Sequence, residues 1–578
     1  MAFISNVLDH TEGENQQMPK RTIIKPPRHR FVTSLERYLN SPTVTIVLIA
    51  STIGAIVYMV FLFQPAYRGD LLPYLMVVSA ESFLIVHGLI SFWTILGGRT
   101  DPRNFEFHNA QDQLFDTKSK STAKLIPEMP TAVSRNRQLY IDDSPVTVDI
   151  FIPVYGEPVA EVRETAMAAK NVFGKHRTYI LDDGGSEDMR RMAKRIGVEY
   201  IRRPIHEFAK AGNINYGLSQ TTGDFFVILD ADFVADKLFL YETLPFFEDD
   251  LMAFVQTPQY YKNSDTFVSD AAGYMQHVFY SLVQMGKNKF NAAFCVGTNV
   301  VFRRSAVEDV GGMYTKSKSE DIWTSLMLHE KGYRSIYINK VLAIGKTPET
   351  IQAYSKQQLR WATGSFEMFL HRTPLANKLL TADQRIQYFG TTTFYFNGFA
   401  IAVLMFLPAL QIFFNLTPIA LNLPFYQWAL LYSGFYVTQI VLSMYTMGGF
   451  KIRTLMLAAV SFPIYVRAFF NALFGRDEMW HATNRKDNYD SPFNYIRPQA
   501  YIFVFLLLTF FVGVWKSIYT QEFSVSIAWS ALNAFIFGIF MVVALRESYT
   551  MRHPVRRRDA LTTMKSEKIL VTVKEVRE

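Results

Sequence analysis

One cysteine, Cys295, is all the thiol this chain carries. That excludes an internal disulfide framework and a metal site built from several cysteines, and leaves Cys295 as a small buried apolar side chain. The amino-terminal stretch also lacks an apolar core ending in a small-residue cleavage site, so no removable signal peptide is expected. Long apolar runs are missing between about residues 100 and 350, although they occur on both sides of that interval. Over 578 residues the composition is 49% apolar and 15% aromatic, with 19% charged and a formal charge of +8. That mixture fits neither a wholly soluble protein nor a pure carrier. It implies a water-soluble domain spliced between membrane spans.

The spans can be placed. Thr43–Phe63 and Leu72–Leu96 are long and apolar enough to cross a bilayer. The second carries Glu81 and His87, whose cost in lipid implies that they face protein, either as a polar lining or as a helix-packing contact. Further spans are expected at 388–414, 425–447, 500–519 and 524–545. The stretch 452–474 has Lys451, Arg453 and Arg467 at or within its limits and reads as an interfacial helix. Lys20, Arg21, Lys25, Arg28, Arg30 and Arg37 precede the first span, and Arg546, Arg552, Arg556, Arg557 and Arg558 follow the last. The positive-inside rule then puts both termini in the cytoplasm, and two spans before the soluble domain with four after give the same parity. Because these basic clusters flank spans, the charge is assigned to the lipid bilayer and no nucleic-acid partner is expected. The expected division is a basic segment 1–42, spans within 43–96, a cytoplasmic domain 97–350 and interfacial helices 351–385. It continues with spans within 386–447, an interfacial helix and loop 448–499, spans within 500–545 and a basic tail 546–578.

Within the soluble domain short apolar runs alternate with charged, helix-prone stretches. Strands are predicted at 146–154, 177–181, 198–201 and from Phe225, and helices at 161–172, 188–196 and 209–219. This alternation predicts a mostly parallel sheet covered by helices, with ligands beyond the carboxyl ends of the strands. Tyr155, Asp182 and Asp230 all fall at such ends. The strongest local signal is Phe225-Phe226-Val227-Ile228-Leu229, ending in Asp230-Ala231-Asp232. Alternate side chains of an extended chain share a face, so two carboxylates at this spacing could flank one cation. Hard oxygen ligands suit Mg²⁺ or Mn²⁺ bridging a nucleotide's phosphates. A strand end followed by a turn is the bland alternative.

Other segments carry comparable chemistry. Asp182-Asp183-Gly184-Gly185 could accept hydrogen bonds from a base or ribose, or be an ordinary turn. Lys210 sits at a helix start, where it could meet a diphosphate, or be an exposed lysine. Ser319-Glu320-Asp321 opens a helical pattern, so the carboxylates could cap it or act as a general base; spacing alone leaves that open. Gln357, Arg360 and Trp361 lie on an amphipathic segment, where arginine could steady a departing diphosphate and indole stack on a sugar. Ordinary membrane-surface anchors are their alternative reading. Trp480-His481-Ala482-Thr483-Asn484-Arg485-Lys486 is a basic loop that could close over a nucleotide or simply be a positive-inside loop.

In this order the segments resemble those of family 2 processive glycosyltransferases of the cellulose synthase type. The likeness runs from about Val146 to Arg497. It rests on Val148-Asp149-Ile150-Phe151-Ile152-Pro153-Val154-Tyr155-Gly156-Glu157-Pro158, Asp182-Asp183-Gly184-Gly185, Ala209-Lys210-Ala211-Gly212-Asn213 and Asp230-Ala231-Asp232. It continues through Val255-Gln256-Thr257-Pro258, Phe294-Cys295-Val296-Gly297-Thr298, Ser319-Glu320-Asp321 and Gln357-Gln358-Leu359-Arg360-Trp361-Ala362-Thr363-Gly364. The resemblance implies a GT-A domain, a mostly parallel α/β sheet inserted in an α-helical transmembrane domain, at a bacterial inner membrane. It implies a UDP-sugar donor, a growing β-glycan acceptor, and Mg²⁺ or Mn²⁺ held through Asp230 and Asp232. It further implies uridine contacts at Tyr155, Asp182 and Asp183, with Glu157 and Lys210 beside them, and Asp321 as base next to Glu320. Gln357, Arg360 and Trp361 would bind diphosphate and the terminal acceptor sugar. Thr483, with Arg485 or Lys486, would reach the nucleotide from a gating loop.

The implied reaction is inverting polymerisation of UDP-glucose, cellulose-type β-1,4 or else β-1,3 or mixed, with the product crossing the membrane. Non-processive transfer of one sugar to a lipid is the alternative. Phe394, Tyr395, Phe396, Phe399, Trp428 and Tyr432 could line the path, or form interfacial belts, and periplasmic or secretion subunits are further partners that such a path implies. Three departures stand out. Ser319 replaces the family's usual threonine, Phe294-Cys295-Val296-Gly297-Thr298 departs from Phe-Cys-Gly-Ser, and 546–578 is too short for a cyclic-di-GMP-binding barrel. In-chain activation by that nucleotide is therefore not expected.

Overall fold

The computed structural model describes residues 42–98, 101–115, 135–419, 425–447, 449–476 and 491–552. Two long apolar helices, α1 (Pro42–Leu62) and α2 (Leu71–Gly97), precede the α/β domain. Its first long strand, β1 (Val148–Val154), is buried throughout because its two side-chain rows enter different cores. Val148, Ile150, Ile152 and Val154 join one core. Phe151 joins the other, where the Phe151, Phe226 and Phe302 rings stack at 5.7 and 5.2 Å.

Around β1 lie α3 (Val159–Lys170), β2 (Arg177–Asp182), α4 (Glu187–Ile196), β3 (Glu199–Arg202), α5 (Ala209–Gln220) and β4 (Phe225–Ile228). These match the predicted elements to within a residue or two. α4 illustrates why: the Ser186 hydroxyl accepts from Met189 N, acids fill the first turn, bases the last, and Gly197 at φ +67° stops the helix. β5 (Met252–Gln256), β6 (Val300–Arg303) and β7 (Arg334–Tyr337) complete a seven-stranded sheet ordered β7-β5-β6-β4-β1-β2-β3. Every neighbouring pair is parallel except those of β6, which runs against both β4 and β5. Between β6 and β7 stands α6 (Glu320–Glu330). The domain is thus the mostly parallel α/β sheet that a GT-A fold requires.

After the sheet come α7 (Ile351–His371), α8 (Ala382–Thr393), α9 (Asn397–Phe414), α10 (Phe425–Met447), α11 (Ile452–Val460), α12 (Phe462–Leu473), α13 (Arg497–Thr520) and α14 (Val525–Arg552). Among the described residues, six helical runs are long and apolar enough to cross a membrane. They are Pro42–Leu62, Leu71–Gly97, Ala382–Phe414, Ile452–Leu473, Arg497–Thr520 and Val525–Met551. This set differs from the expected one in including 452–473 and omitting 425–447. Of the charges that made 452–474 read as interfacial, Lys451 and Arg453 stand at its start and pair with Asp270 at 2.8 and 3.4 Å, whereas Arg467 lies within α12. The apolar remainder turns at Ser461 and packs along α7. α10 instead runs along α1 so closely that a side chain at Gly54 would lie 2.9 Å from the Gly434 carbonyl. Glu81 accepts from Tyr436 OH at 2.7 and 2.8 Å, and His87 bonds Thr393 at 2.9 Å, so both are helix-packing contacts.

The α/β domain docks on α2 through Gly286. A Cβ there would lie 2.1 Å from the Thr94 carbonyl oxygen, so no side chain fits. Gly286→Ala should therefore destabilise the protein by about 1–3 kcal/mol, read as a lower midpoint in thermal unfolding of the detergent-solubilised chain. An unchanged midpoint would contradict this docking.

Candidate active site

β4, β1, β2 and β3 end at one edge of the sheet, and the chain leaving them carries Asp230 and Asp232, Tyr155 and Glu157, Asp183, and Arg203. A cavity of about 430 Å³ opens there, walled on the far side by the start of α6 and by α7. Glu320 and Asp321 line it, as do Lys210, Gln357, Arg360 and Trp361. These sequence-predicted residues therefore share one space. Thr483, Arg485 and Lys486 lie outside the described residues.

Asp230-Ala231-Asp232 is not extended. Phe233 N donates to the Asp230 carbonyl at 3.0 Å, so a turn, rather than strand alternation, brings both carboxylates to the cavity. Burial, then the charges of Asp230 and Glu161, push the Asp232 carboxyl up to about 7. Asp230 is ion-paired with the Lys210 ammonium, which also donates to the Gly297 carbonyl at 2.7 Å. Burial alone would lower the Lys210 ammonium, but Asp230, Glu320 and Asp321 outweigh it and hold it above its ordinary value. Among the described residues no cluster of three or more acidic, histidine or cysteine side chains could hold a metal by itself. Two carboxylates at one wall nevertheless fit a hard divalent cation whose remaining ligands are phosphate and water oxygens.

Asp321 stands in the first turn of α6 without capping it. The cap position belongs to Ser319, whose buried hydroxyl has no partner. Asp321 instead accepts from its neighbour Ile322 N at 2.9 Å and faces the cavity. Burial, followed by the charge of Glu320, raises its carboxyl to about 7. That outweighs the helix dipole, and a carboxylate poised near neutrality suits a general base. A side chain at Gly297 would come within 3.3 Å of Asp321 Oδ2 and 3.5 Å of Lys210 Nζ, and its φ of +84° also favours glycine.

α7 presents Gln357, Arg360 and Trp361 on one face, as their spacing of three and four residues requires. Gln357 Oε1 is buried without a partner. The helix also packs on the membrane side, where Tyr354 bonds Ser461 at 2.9 Å and Tyr465 donates to Gln358 at 3.3 Å. Phe366, Tyr395, Phe396, Phe399 and Phe469 continue from it as touching rings; the side chains of Trp428 and Tyr432 lie outside the described residues.

The paired aspartates after β2 differ from expectation. Asp182 is spent inside the protein: Oδ1 accepts from Gly184 N and Gly185 N, and Oδ2 from Ser186 N and Tyr200 OH, at 2.8–3.0 Å. It holds the turn and is absent from the cavity lining. Asp183 lines the cavity but is bound by Arg203 at 2.5 Å through both oxygens, and by His206 at 2.7 Å. Sequence reasoning did not find Arg203, nor the ion pair of Glu161 with Lys346 beside Asp232. Neither pair has a readable spacing, since the partners are far apart in the chain or carried by unrelated elements.

A family model described as "Glycosyl transferase family group 2" matches residues 225–545, over half of the chain. The chain belongs to that family. This glycosyltransferase is 36% identical over 285 residues to the cellulose synthase 1 catalytic subunit [UDP-forming] of Komagataeibacter xylinus, covering 47% of this chain and 38% of that one. It is 34% identical over 261 residues to the cellulose synthase catalytic subunit [UDP-forming] of Xanthomonas axonopodis pv. citri, covering 44% and 36%. The glycosyltransferase thus spans less than two-fifths of the length of these relatives. A solved mannosyltransferase from Pyrobaculum calidifontis, in complex with GDP-Man and Mn²⁺, aligns at a TM-score of 0.44 and 14% identity. That alignment covers 69% of this chain and all of the other, a likeness too slight to carry anything further.

Two outcomes follow for the glycosyltransferase. A base must be ionised to accept a proton, and the ionised fraction of Asp321 grows as pH rises through about 7. kcat/KM should therefore increase about tenfold per pH unit below that point and level off above it; a profile flat from pH 5.5 to 8 would exclude Asp321 as the base. Gly364 abuts Ser319, whose hydroxyl a Cβ would meet at 2.0 Å. Gly364→Ala should shift the start of α6 and cut kcat by about a hundredfold or more, in initial-rate assays of glycosyl transfer.

Proposed function

We propose that this glycosyltransferase is a membrane-embedded, processive, inverting enzyme that polymerises UDP-glucose into a β-1,4-glucan and passes it across a bacterial inner membrane. One observation carries the reading: a single cavity joins the Asp230–Asp232 turn and Asp321 to α7, whose other face packs on an apolar membrane-length helix. The identity with UDP-forming cellulose synthase catalytic subunits supports the donor and the linkage.

In this proposal Asp230 and Asp232 hold Mg²⁺ or Mn²⁺, which when bound supplies charge neutralisation of the donor's diphosphate. Lys210 and Arg360 add positive charge where the diphosphate departs. Tyr155 and Asp183 meet the nucleoside, while Asp182 and Glu157 shape the turns beside it; the Glu157 carboxylate accepts from Tyr155 N at 2.5 Å. Thr483, with Arg485 or Lys486, completes the nucleotide's contacts. The terminal acceptor sugar stacks on the Trp361 indole, and the unpartnered Gln357 Oε1 accepts one of its hydroxyls. Asp321 takes the proton of the attacking hydroxyl as that oxygen bonds the anomeric carbon opposite the leaving UDP, so configuration inverts. The rings from Phe366 to Phe399 then lead the product towards the membrane helices.

The test is incubation of the purified full chain with labelled UDP-glucose and Mn²⁺, followed by digestion with linkage-specific glucanases. A polymer cleaved by β-1,4-glucanase is expected. Asp321→Asn should lower its synthesis by about 10²–10⁴-fold and Asp230→Ala should abolish it, with both variants still membrane-inserted. A product limited to one sugar on lipid would overturn processivity, and a polymer resistant to that glucanase would overturn the linkage.

A further inference from the structure

Phe208 departs from its surroundings in two ways. Among the described residues 135–345 it is the one exposed phenylalanine, tyrosine or tryptophan, at 57% of its full accessibility, and it lies in the wall of the catalytic cavity. Its backbone is also left-handed, at φ +60° and ψ +27°, and Ala209 follows at φ +44°. Bulky residues occupy that region only where the surroundings hold them there, and such positions cluster at ligand sites.

The hold is visible. Arg203 is buried and grips Asp183 through two parallel bonds of 2.5 Å. The same guanidinium donates to the carbonyls on either side of Phe208, to Glu207 O through Nη1 and to Ala209 O through Nη2 at 3.1 Å. Gly212 N closes the turn by donating to the Phe208 carbonyl at 2.9 Å. Gly212 must be glycine, because a Cβ there would lie 2.2 Å from Glu207 O and 2.5 Å from Arg203 Nη1. The Asp183–Arg203 ion pair and Gly212 thus combine to turn one apolar ring outward.

The direction of that ring has a use. Asp230 follows β4 and Asp183 follows β2, two strands away across β1, or about 10 Å at ordinary strand spacing. A nucleoside diphosphate with its phosphates at Asp230 would extend its base towards Asp183 and Phe208. We propose that Phe208 is a stacking platform for the donor's nucleobase, with Arg203 and Asp183 as the positioning residues that present it. The inference rests on the nucleotide-donor reading above and adds a residue to it. Stacking needs only a π-face, so Phe208 contributes affinity for the nucleoside and leaves the choice of base to hydrogen bonds elsewhere.

Calorimetry on the full-length protein in nanodiscs, with Mn²⁺ present, tests this using UDP, ADP and inorganic pyrophosphate as probes. Phe208→Ala should weaken UDP about tenfold or more, weaken ADP by a similar factor, and leave pyrophosphate unchanged. Phe208→Trp should bind UDP as the wild type does. Arg203→Lys should reproduce the alanine pattern, which a merely structural residue would not, since it would lose pyrophosphate as well. Wild-type UDP affinity in Phe208→Ala overturns the proposal, and so does an equal loss of UDP and pyrophosphate. If the wild type binds pyrophosphate but not UDP, the nucleotide-donor reading itself falls and takes the platform with it.

Discussion

Too much negative charge in too little water is the condition around which this site is built. Asp230, Asp232, Glu320 and Asp321 line one cavity, with the Lys210 ammonium paired to Asp230. Burial first, and then the charge of Asp230 and Glu161 on Asp232 and of Glu320 on Asp321, raise these two carboxyls to about 7. The arrangement is costly without a ligand and is relieved by one that brings cations or takes a proton. The sheet supplies the rigidity to bear it, since strands buried on both faces cannot splay apart to let the acids separate.

The same constraint explains the division of labour among the acids. Those whose oxygens are filled by amides and guanidinium, Asp182 and Asp183, keep the surrounding loops in place. Asp182 stands outside the cavity lining, whereas Asp183 remains in its wall alongside Asp230, Asp232, Glu320 and Asp321. α7 links this charged space to the membrane helices because its two faces have different partners, polar side chains on one and Ser461 and Tyr465 on the other.

Much of this was legible from the chain. Buried parallel strands write themselves as runs such as Phe225–Leu229, and α4 announces both its ends through Ser186 and Gly197. The residues that converge on the cavity were found because they follow strands or share a helix face. What stayed hidden depended on pairing across the fold. Nothing local says that Arg203 belongs to Asp183, or Lys346 to Glu161. The carboxylate of Asp182 read equally as a ligand contact or as part of an ordinary turn, since a spacing cannot reveal that neighbouring amides already occupy it. The helical run 452–473 read as interfacial from its charges; by length and composition it could also cross a membrane, and two of those charges have Asp270 as a partner that no local pattern shows.

β6 is the one strand that runs backwards, and its direction has a consequence for how the centre is furnished. Its neighbours release the chain at the rim where the acids stand, whereas β6 receives it there, so Gly297 and Thr298 reach the rim before their strand begins. What they offer is main chain and a hydroxyl, with Thr298 accepting from Asp230 N at 2.8 Å. The floor beneath the acids is therefore laid by an arriving segment whose register is fixed by the strand after it. A single residue added between Gly297 and Val300 would displace that floor.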